Sequence, residues 1–129
     1  MKRLLFLAFT AVLLPSVLCA QSADADIERT LLAAPASLSA EATILELRPD
    51  GSTAVLRGGS NDLICWDNEG RPGQMAPLDV QCTTEANRAR LEQNHAFESA
   101  GGTVAETLAR FERAEADGIR ALSEWGSIY

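Results

Sequence analysis

The stretch from Ala42 to Gly58 carries the clearest structural signal in the chain. It reads ATILELRPDGSTAVLRG, two runs of alternating apolar and polar residues on either side of Asp50-Gly51. An Asp-Gly pair between such runs predicts a β-hairpin, because glycine adopts positive φ without steric cost. A two-residue turn at Asp50-Gly51 and a four-residue loop from Pro49 to Ser52 both give the same strand pairing.

That pairing sorts the side chains of the hairpin onto two faces. It sets Leu47 opposite Ala54 and Leu45 opposite Leu56, so these four residues share one apolar face. The other face is mixed and partly charged, and consists of Ile44, Glu46, Arg48, Thr53, Val55 and Arg57. Such a division is typical of a ribbon buried on one side only.

The residues after the hairpin continue the sheet. Gly58 to Asn61 reads as a turn, and residues 62–67 (DLICWD) predict a third strand, antiparallel to the second. Asn68 to Pro77 is rich in Gly and Pro and predicts a loop. Leu78 to Cys82 then forms a brief extended segment.

Helices are predicted at both ends of the mature chain. Residues 25–34 form a short helix that ends at Pro35, and a second helix runs from Thr83 or Thr84 to about Ser99. Thr103 and Glu106 match a capping box at the start of a third helix, which reaches about Glu124. Its apolar stripe, at helical spacing, is Val104, Leu108, Phe111, Ile119, Leu122 and Trp125.

The first twenty residues have the features of a secretory signal peptide. Lys2 and Arg3 precede an apolar run from Leu4 to Leu14, and Ala20 provides the small residue after which we expect the cut. A cut after Ser22, with Ala20 at the −3 position, is the second choice. The apolar run is too short to cross a bilayer comfortably, which disfavours an uncleaved anchor. We expect an exported protein, periplasmic or extracellular.

The cysteines agree with an oxidising compartment. Cys19 leaves with the signal peptide, and lipidation of Cys19 is disfavoured because Leu18, just before it, is not small. The remaining two, Cys65 and Cys82, most simply form one disulfide. A zinc site is disfavoured because the chain has a single histidine, and a redox pair is disfavoured because the spacing is not C-x-x-C.

Composition narrows the class of protein further. The full chain has a net charge of −7, and cleavage removes two bases and none of the 18 acids. An acidic chain without a basic patch is a poor nucleic-acid binder. Leu, Ile, Val and Phe make up only about a fifth of the mature chain. We therefore expect the disulfide to matter more than in a domain with a richer core.

Candidate catalytic residues are few. His95, the only histidine, has polar neighbours and is predicted to lie on the surface of its helix. Paired carboxylates could serve a hydrolase, and the candidates in the sheet and its loops are Glu46, Asp62, Asp67, Glu69 and Asp79. With so many acids in the chain, chance pairs are expected.

Two local patterns have both a functional and a structural interpretation. Asp67 to Gly70 resembles a fragment of a calcium loop, but the required third acid and bidentate glutamate are missing, which favours a plain acidic turn. Trp66, beside Cys65, is predicted to be a core residue packed on the disulfide, and not a ligand platform.

Several short motifs lie between Leu31 and Cys82. They are L-x-A-A-P-A-S-L at 31–38, A-T-I at 42–44, the Asp50-Gly51 turn, L-R-x-G-x-N at 56–61, C-W-D at 65–67 and Cys82 itself. Together they resemble a loose group of uncharacterised exported bacterial proteins. The resemblance covers about half of the mature chain. It implies export, and it transfers no established activity and no catalytic residue.

The sequence as a whole predicts an α+β protein with one disulfide. We expect a signal peptide at 1–20, a short helix and linker at 21–41, and one small domain at 42–129. In that domain an antiparallel sheet of about three strands (hairpin 42–58 and strand 62–67) packs with two C-terminal helices.

The predicted function is that of a non-enzymatic binding module. The expected partner is a protein or a component of the cell envelope, with no nucleic acid, no cofactor, no metal and no stable membrane span after signal cleavage. The alternatives are a small carboxylate-dependent hydrolase, or an incomplete domain whose functional part lies beyond residue 129.

Overall fold

The computed structural model describes residues 17–72, 74 and 76–124, with the side chains of residues 17–22 left undescribed. The regular elements are α1 (Val17–Thr30), β1 (Thr43–Leu47), β2 (Thr53–Arg57), β3 (Leu63–Asp67), β4 (Val80–Thr84), α2 (Arg88–Ser99) and α3 (Val104–Ala116). Single 3-10 turns occupy Leu31–Ala33, Ser39–Glu41 and Glu85–Asn87. The predicted signal-peptide residues 1–16 lie outside this description, and the predicted cleavage point falls within α1.

The sheet confirms the α+β class and differs from expectation in two respects. It has four strands in the order β2-β1-β3-β4, where about three were predicted. It is also mixed: β3 pairs with β1 in parallel, and not with β2. The physical reason is burial, since β3 is buried on both faces and belongs in the centre, whereas Val55 and Leu56 of β2 are exposed at the edge.

The hairpin forms as predicted but with a three-residue loop, Pro49–Gly51. The Gly51 N–H donates to the Arg48 carbonyl at 3.0 Å, and Gly51 has φ of +85°, as a type I turn followed by a left-handed glycine requires. Asp50 accepts hydrogen bonds from the Ser52 backbone N–H (2.9 Å) and hydroxyl (2.6 Å). These bonds from Ser52 hold the pKa of the Asp50 carboxyl below its ordinary value.

The three-residue loop, in place of the predicted two or four residues, shifts the register by one residue from Leu45 to Leu47, so the predicted pairing was wrong. Leu47 pairs with Thr53, and Leu45 pairs with Val55. Ile44, expected on a partly charged outer face, is completely buried. The cause is the place of β1 between β2 and β3 in a sheet covered on both faces, so that the successive side chains of Ile44 and Leu45 are both buried.

Both faces of the sheet are covered, and each has its own apolar cluster. One cluster consists of Ala42, Ile44, Leu63, Cys65 and Cys82, with Ile27, Leu31, Ala33 and Ala34 packed on it from α1 and the turn that follows. The other consists of Leu45, Ile64, Trp66 and Leu91, with Leu47 against it. Trp66 is a core residue as predicted, but it lies on the α2 side of the sheet, opposite to the disulfide.

The predicted disulfide is present. Cys65 of β3 and Cys82 of β4 are directly opposed in the antiparallel ladder, with their Cα atoms 4.1 Å apart, and both are completely buried. The bond therefore fastens an edge strand, β4, to the central strand β3.

In the C-terminal helices, the start of α3 matches the prediction, whereas the start of α2 and the end of α3 differ from it. The capping box is confirmed: the Glu106 N–H donates to the Thr103 hydroxyl, and the Thr103 N–H donates to the Glu106 carboxylate at 2.6 Å. Helix α2 begins only at Arg88, because the chain up to Thr84 still belongs to β4. Helix α3 ends at Ala116 and not near residue 124.

The early end of α3 is caused by Gly118. It has φ of +68°, its N–H donates to the Glu115 carbonyl at 3.1 Å, and the Ile119 N–H donates to the Ala114 carbonyl at 3.0 Å. This is the Schellman arrangement that commonly closes a helix. The chain then runs back along α2, where the Gln93 side chain accepts from the Ala121 N–H at 2.9 Å.

At acidic pH, the stability of the protein should depend on the protonation of two carboxylates, Asp50 in the hairpin loop and Glu106 in the capping box. Hydrogen bonds from the Thr103 N–H and hydroxyl hold the pKa of Glu106 below its ordinary value, as Ser52 does for Asp50. The unfolded chain then binds more protons, so this stabilisation is complete above the ordinary carboxyl pKa of about 4 and is lost as the pH falls through the lowered values.

We therefore expect the urea concentration at the midpoint of unfolding to decrease as the pH is lowered below about 5. Glu106→Gln should weaken this dependence of the midpoint on pH. Glu28→Gln, at an exposed site of α1, is the control and should leave the curve unchanged. An equal effect of the two substitutions would contradict the role of the capping box.

Candidate functional site

The structure contains a small pocket between three segments that are far apart in the sequence. The hairpin loop, the loop after β3 and the C-terminal end of α2 enclose a volume of about 230 Å³. Its walls are Leu47, Arg48, Pro49, Glu69, Gly70, Arg71, Pro72, His95 and Ser99. This volume is below that of most sites for drug-sized ligands.

His95 lies in the wall of this pocket and is 1% exposed, so its predicted surface position was wrong. Its Nε2 is 2.7 Å from the Arg48 carbonyl oxygen. A carbonyl only accepts, so Nε2 carries the proton and donates, and in the neutral ring Nδ1 is left to accept from the Ser99 hydroxyl at 3.3 Å. The ring thereby joins the hairpin loop to α2.

Backbone packing reinforces the same junction. A Cβ atom built on Gly51 would lie 3.3 Å from Ala96 Cα and 3.3 Å from Ser99 Cβ, so the loop approaches α2 closely. The signal for a buried His95 was present in the sequence: it is four residues after Leu91, which is buried on the same face of α2.

The pocket wall contains two arginines, Arg48 and Arg71, and the charge of Arg71 is compensated by a neighbouring acid. Its guanidinium is paired with Glu98 of α2 and donates to Asn68. Burial lowers the pKa of Arg71, an effect that the charges of Glu98 and Asp79 oppose. The pairing ties the loop after β3 to α2, so this guanidinium serves first to hold the pocket together.

The two candidate carboxylates that the structure brings together share an arginine and are not both in the pocket wall. Asp67 and Glu69 both pair with Arg29 of α1, at 2.8 Å and 2.5 Å. Glu46 pairs with Arg48 at 3.1 Å, and Asp79 accepts from the Asn68 amide at 3.0 Å. Of the carboxylates, the pocket wall contains Glu69, so the pocket has one acid where a glycosidase-type mechanism needs two.

The acids of the possible calcium loop take part in the same ion pairs with Arg29. Asp67 and Glu69, which would supply oxygen ligands, are turned toward the Arg29 guanidinium. Hydrogen bonding to Glu69 is the main cause that raises the pKa of Arg29 above its ordinary value. Within residues 17–72, 74 and 76–124, no group of three or more His, Cys, Asp or Glu residues is placed to hold a metal ion.

The chemistry available to the pocket is therefore limited. Ser99 and His95 form the only hydroxyl–imidazole contact on its wall, and the third partner is a backbone carbonyl. A carbonyl orients the ring but lacks the negative charge with which a carboxylate stabilises an imidazolium. This arrangement supports a structural joint better than general-base catalysis.

A second feature is the surface of α3, where the sequence predicted core packing. Of the predicted stripe, Phe111 packs edge-on against Phe97, with ring centroids 5.4 Å apart. Val104 and Leu108 are instead 79% and 54% exposed, and Ile119 and Leu122 are exposed as well. Trp125 lies outside the described residues. The buried residue of α3 is Ala114, whereas Val104 and Leu108 are exposed.

We call the exposed side the outer face of α3. It consists of Val104, Ala105, Leu108, Glu112 and Glu115, all exposed. The first three residues make the amino-terminal half of this face apolar, and the two glutamates make the other half acidic. The helix itself is well anchored, since Arg110 donates to the Phe97 carbonyl at 3.0 Å and the Arg120 guanidinium lies 4.7 Å from the centre of the Phe111 ring.

The described residues include no helix that is long and apolar enough to cross a membrane. Comparison of the chain with protein-family models, with curated proteins and with solved structures finds no match.

Proposed function

We propose that the protein is an exported, non-enzymatic interaction module that binds a protein partner through the outer face of α3. The observation that carries the proposal is the exposure of Val104 and Leu108 on a helix with a complete capping box. Exposed apolar side chains grouped on an ordered element are characteristic of interaction sites.

Export is supported by several independent features. The first twenty residues have a basic start, an apolar run and a small residue at the cut. The buried Cys65–Cys82 disulfide is of the kind found in oxidising compartments. The resemblance to exported bacterial proteins points the same way.

The alternative of a carboxylate-dependent hydrolase has weaker support. The carboxylates closest to the pocket are engaged with arginines, and the pocket wall has a single acid. No feature of the pocket favours hydrolysis over the interaction role.

Export is tested by expressing the 129-residue chain in a bacterium with a periplasm and measuring intact mass. We expect a chain that starts at Gln21 and is two hydrogens lighter than the reduced form. An uncut chain, a lipid-sized addition at Cys19 or a free-thiol mass would contradict the localisation.

Partner binding is tested by capture from an envelope extract of the source organism, with wild type, Leu108→Glu and Leu78→Glu as baits. Leu78 is a matched control because it is 49% exposed but lies in the loop before β4. Loss of a central apolar contact and burial of a charge should weaken binding at least about tenfold for Leu108→Glu, with Leu78→Glu close to wild type. A set of captured proteins that is the same for all three baits would contradict the proposal.

A further inference from the structure

The charges on α3 suit the electrostatics of its own helix only in part. The carboxyl end of a helix carries partial negative charge, so acids there are unfavourable. Helix α3 has one base in its last turn, Arg113, but also Glu115 there, Glu112 just before it and Asp117 as its C-cap residue. The amino end, where acids are favourable, carries only the capping-box Glu106.

These acids are incompletely neutralised within the part of the chain that the structure describes. Glu112 and the Asp117 carboxylate form no hydrogen bond or ion pair with any described residue. Glu115 has only long contacts, 3.6 Å to Arg90 and 3.5 Å to Arg120. The nearby Arg113 donates instead to the Ala109 carbonyl, at 3.2 Å.

The apolar and acidic halves of the outer face follow each other along one side of the helix. Val104 and Leu108 are four residues apart, and Glu112 and Glu115 follow four and seven residues after Leu108. Residues at such spacings share a helix face. At 1.5 Å per residue the whole pattern spans about 16 Å of helix axis.

Sequences usually violate a local rule where function requires it. Here apolar side chains that face solvent stand beside a helix end where three acids outnumber one base. A single partner would relieve both costs if it supplied apolar contacts at one end and positive charge at the other.

We propose that the partner of the outer face of α3 is a basic amphipathic segment of another protein, with two apolar side chains that cover Val104 and Leu108 and an Arg or Lys that pairs with Glu112. This inference rests on the proposed docking through α3 and adds the chemistry of the partner. The net charge of −7 favours encounter with such a segment.

The test uses two synthetic 14-residue helical peptides as probes, titrated into the ¹⁵N-labelled chain purified from a bacterial periplasm. Both peptides have leucine at the same apolar positions, and one has lysine where the other has glutamate. We expect the lysine peptide to shift the amide resonances of residues 104–117, and the glutamate peptide to leave them in place. The same NMR spectra establish that each protein variant is folded.

Charge reversal on the protein identifies the contact. Glu112→Arg should weaken binding of the lysine peptide about fivefold, because it replaces an attractive surface ion pair by a repulsive one. Glu28→Arg makes the same charge change at an exposed site of α1 and should alter affinity less than about twofold, since screened charges far from the contact contribute little.

Several outcomes would overturn the inference. They are equal binding of both peptides, shifts that avoid α3, and an effect of Glu28→Arg as large as that of Glu112→Arg. A concentration-dependent dimer in sedimentation that Leu108→Glu abolishes would assign the face to a second copy. Tighter peptide binding after deletion of residues 125–129 would assign it to the chain's own end.

These outcomes are separable from failure of the proposed function. If the lysine peptide does not bind while Leu108→Glu still removes a captured partner, the docking face stands and the basic segment is wrong. If the peptide binds on α3 but no captured partner depends on Leu108, the proposed function fails.

Discussion

Replacing Cys65 and Cys82 together by alanine should lower the free energy of unfolding by at least about 3 kcal/mol, the value of the chain-entropy model for a loop of this length. The two cysteines are 17 positions apart and join the edge strand β4 to β3. Both side chains are also fully buried, so the smaller alanines add a packing loss to the entropic one. Urea unfolding of the double variant and wild type measures the difference.

Reduced wild type is the control for this prediction, because it keeps the sulfur atoms and lacks only the bond. It should lose most of the same stability. A change below about 1 kcal/mol in both samples would mean that the sheet holds β4 without the disulfide, contrary to the effect of loop closure.

His95→Ala should cost about 3 kcal/mol, from the cavity left by a fully buried side chain and the loss of its hydrogen bond to the Arg48 carbonyl. The interpretation of His95 as a surface residue predicts a change within about 0.5 kcal/mol. Urea unfolding therefore separates the two accounts of this residue.

The His95 prediction also has a local signature. Because the ring joins the hairpin loop to α2 through the Arg48 carbonyl, the amides of β1 and β2 should exchange faster in His95→Ala. Asn94→Ala, at a half-buried neighbour that contacts Arg120, should leave hairpin exchange near wild type. Equal exchange in the two variants would contradict the joint.

Features governed by neighbours in the sequence were predictable. The Asp50-Gly51 turn and the capping box of Thr103 and Glu106 depend on a few adjacent residues, and both are present. The Cys65–Cys82 bond followed from the expectation that Cys19 is removed with a signal peptide, which would leave two cysteines.

Features that depend on partners far away in the sequence were not predictable. The pairing of β3 with β1, and not with β2, is decided by which strands can be buried on both faces. This is a property of the whole sheet. The hairpin register depends on whether the loop has three residues, as observed, or two or four, as predicted. The pattern of apolar and polar residues fits each of these lengths. For α3, the apolar spacing past residue 116 outweighed the stop signal of Asp117-Gly118.

The candidate sites show the same division. The pocket is assembled from the hairpin, the loop after β3 and the end of α2, which no local motif connects. His95 could have been placed by its spacing from Leu91, but its polar neighbours indicated solvent. The apolar residues of α3 were recognised, and only the structure showed that Val104 and Leu108 face outward.

Site-specific photo-crosslinking in living cells tests the interaction role of α3 most directly. A photoreactive residue is placed at position 108 in one chain and at position 78, of similar exposure, in another. We predict a discrete crosslinked product in the cell envelope from position 108 and none from position 78. No product from position 108, or the same products from both positions, would contradict docking through α3.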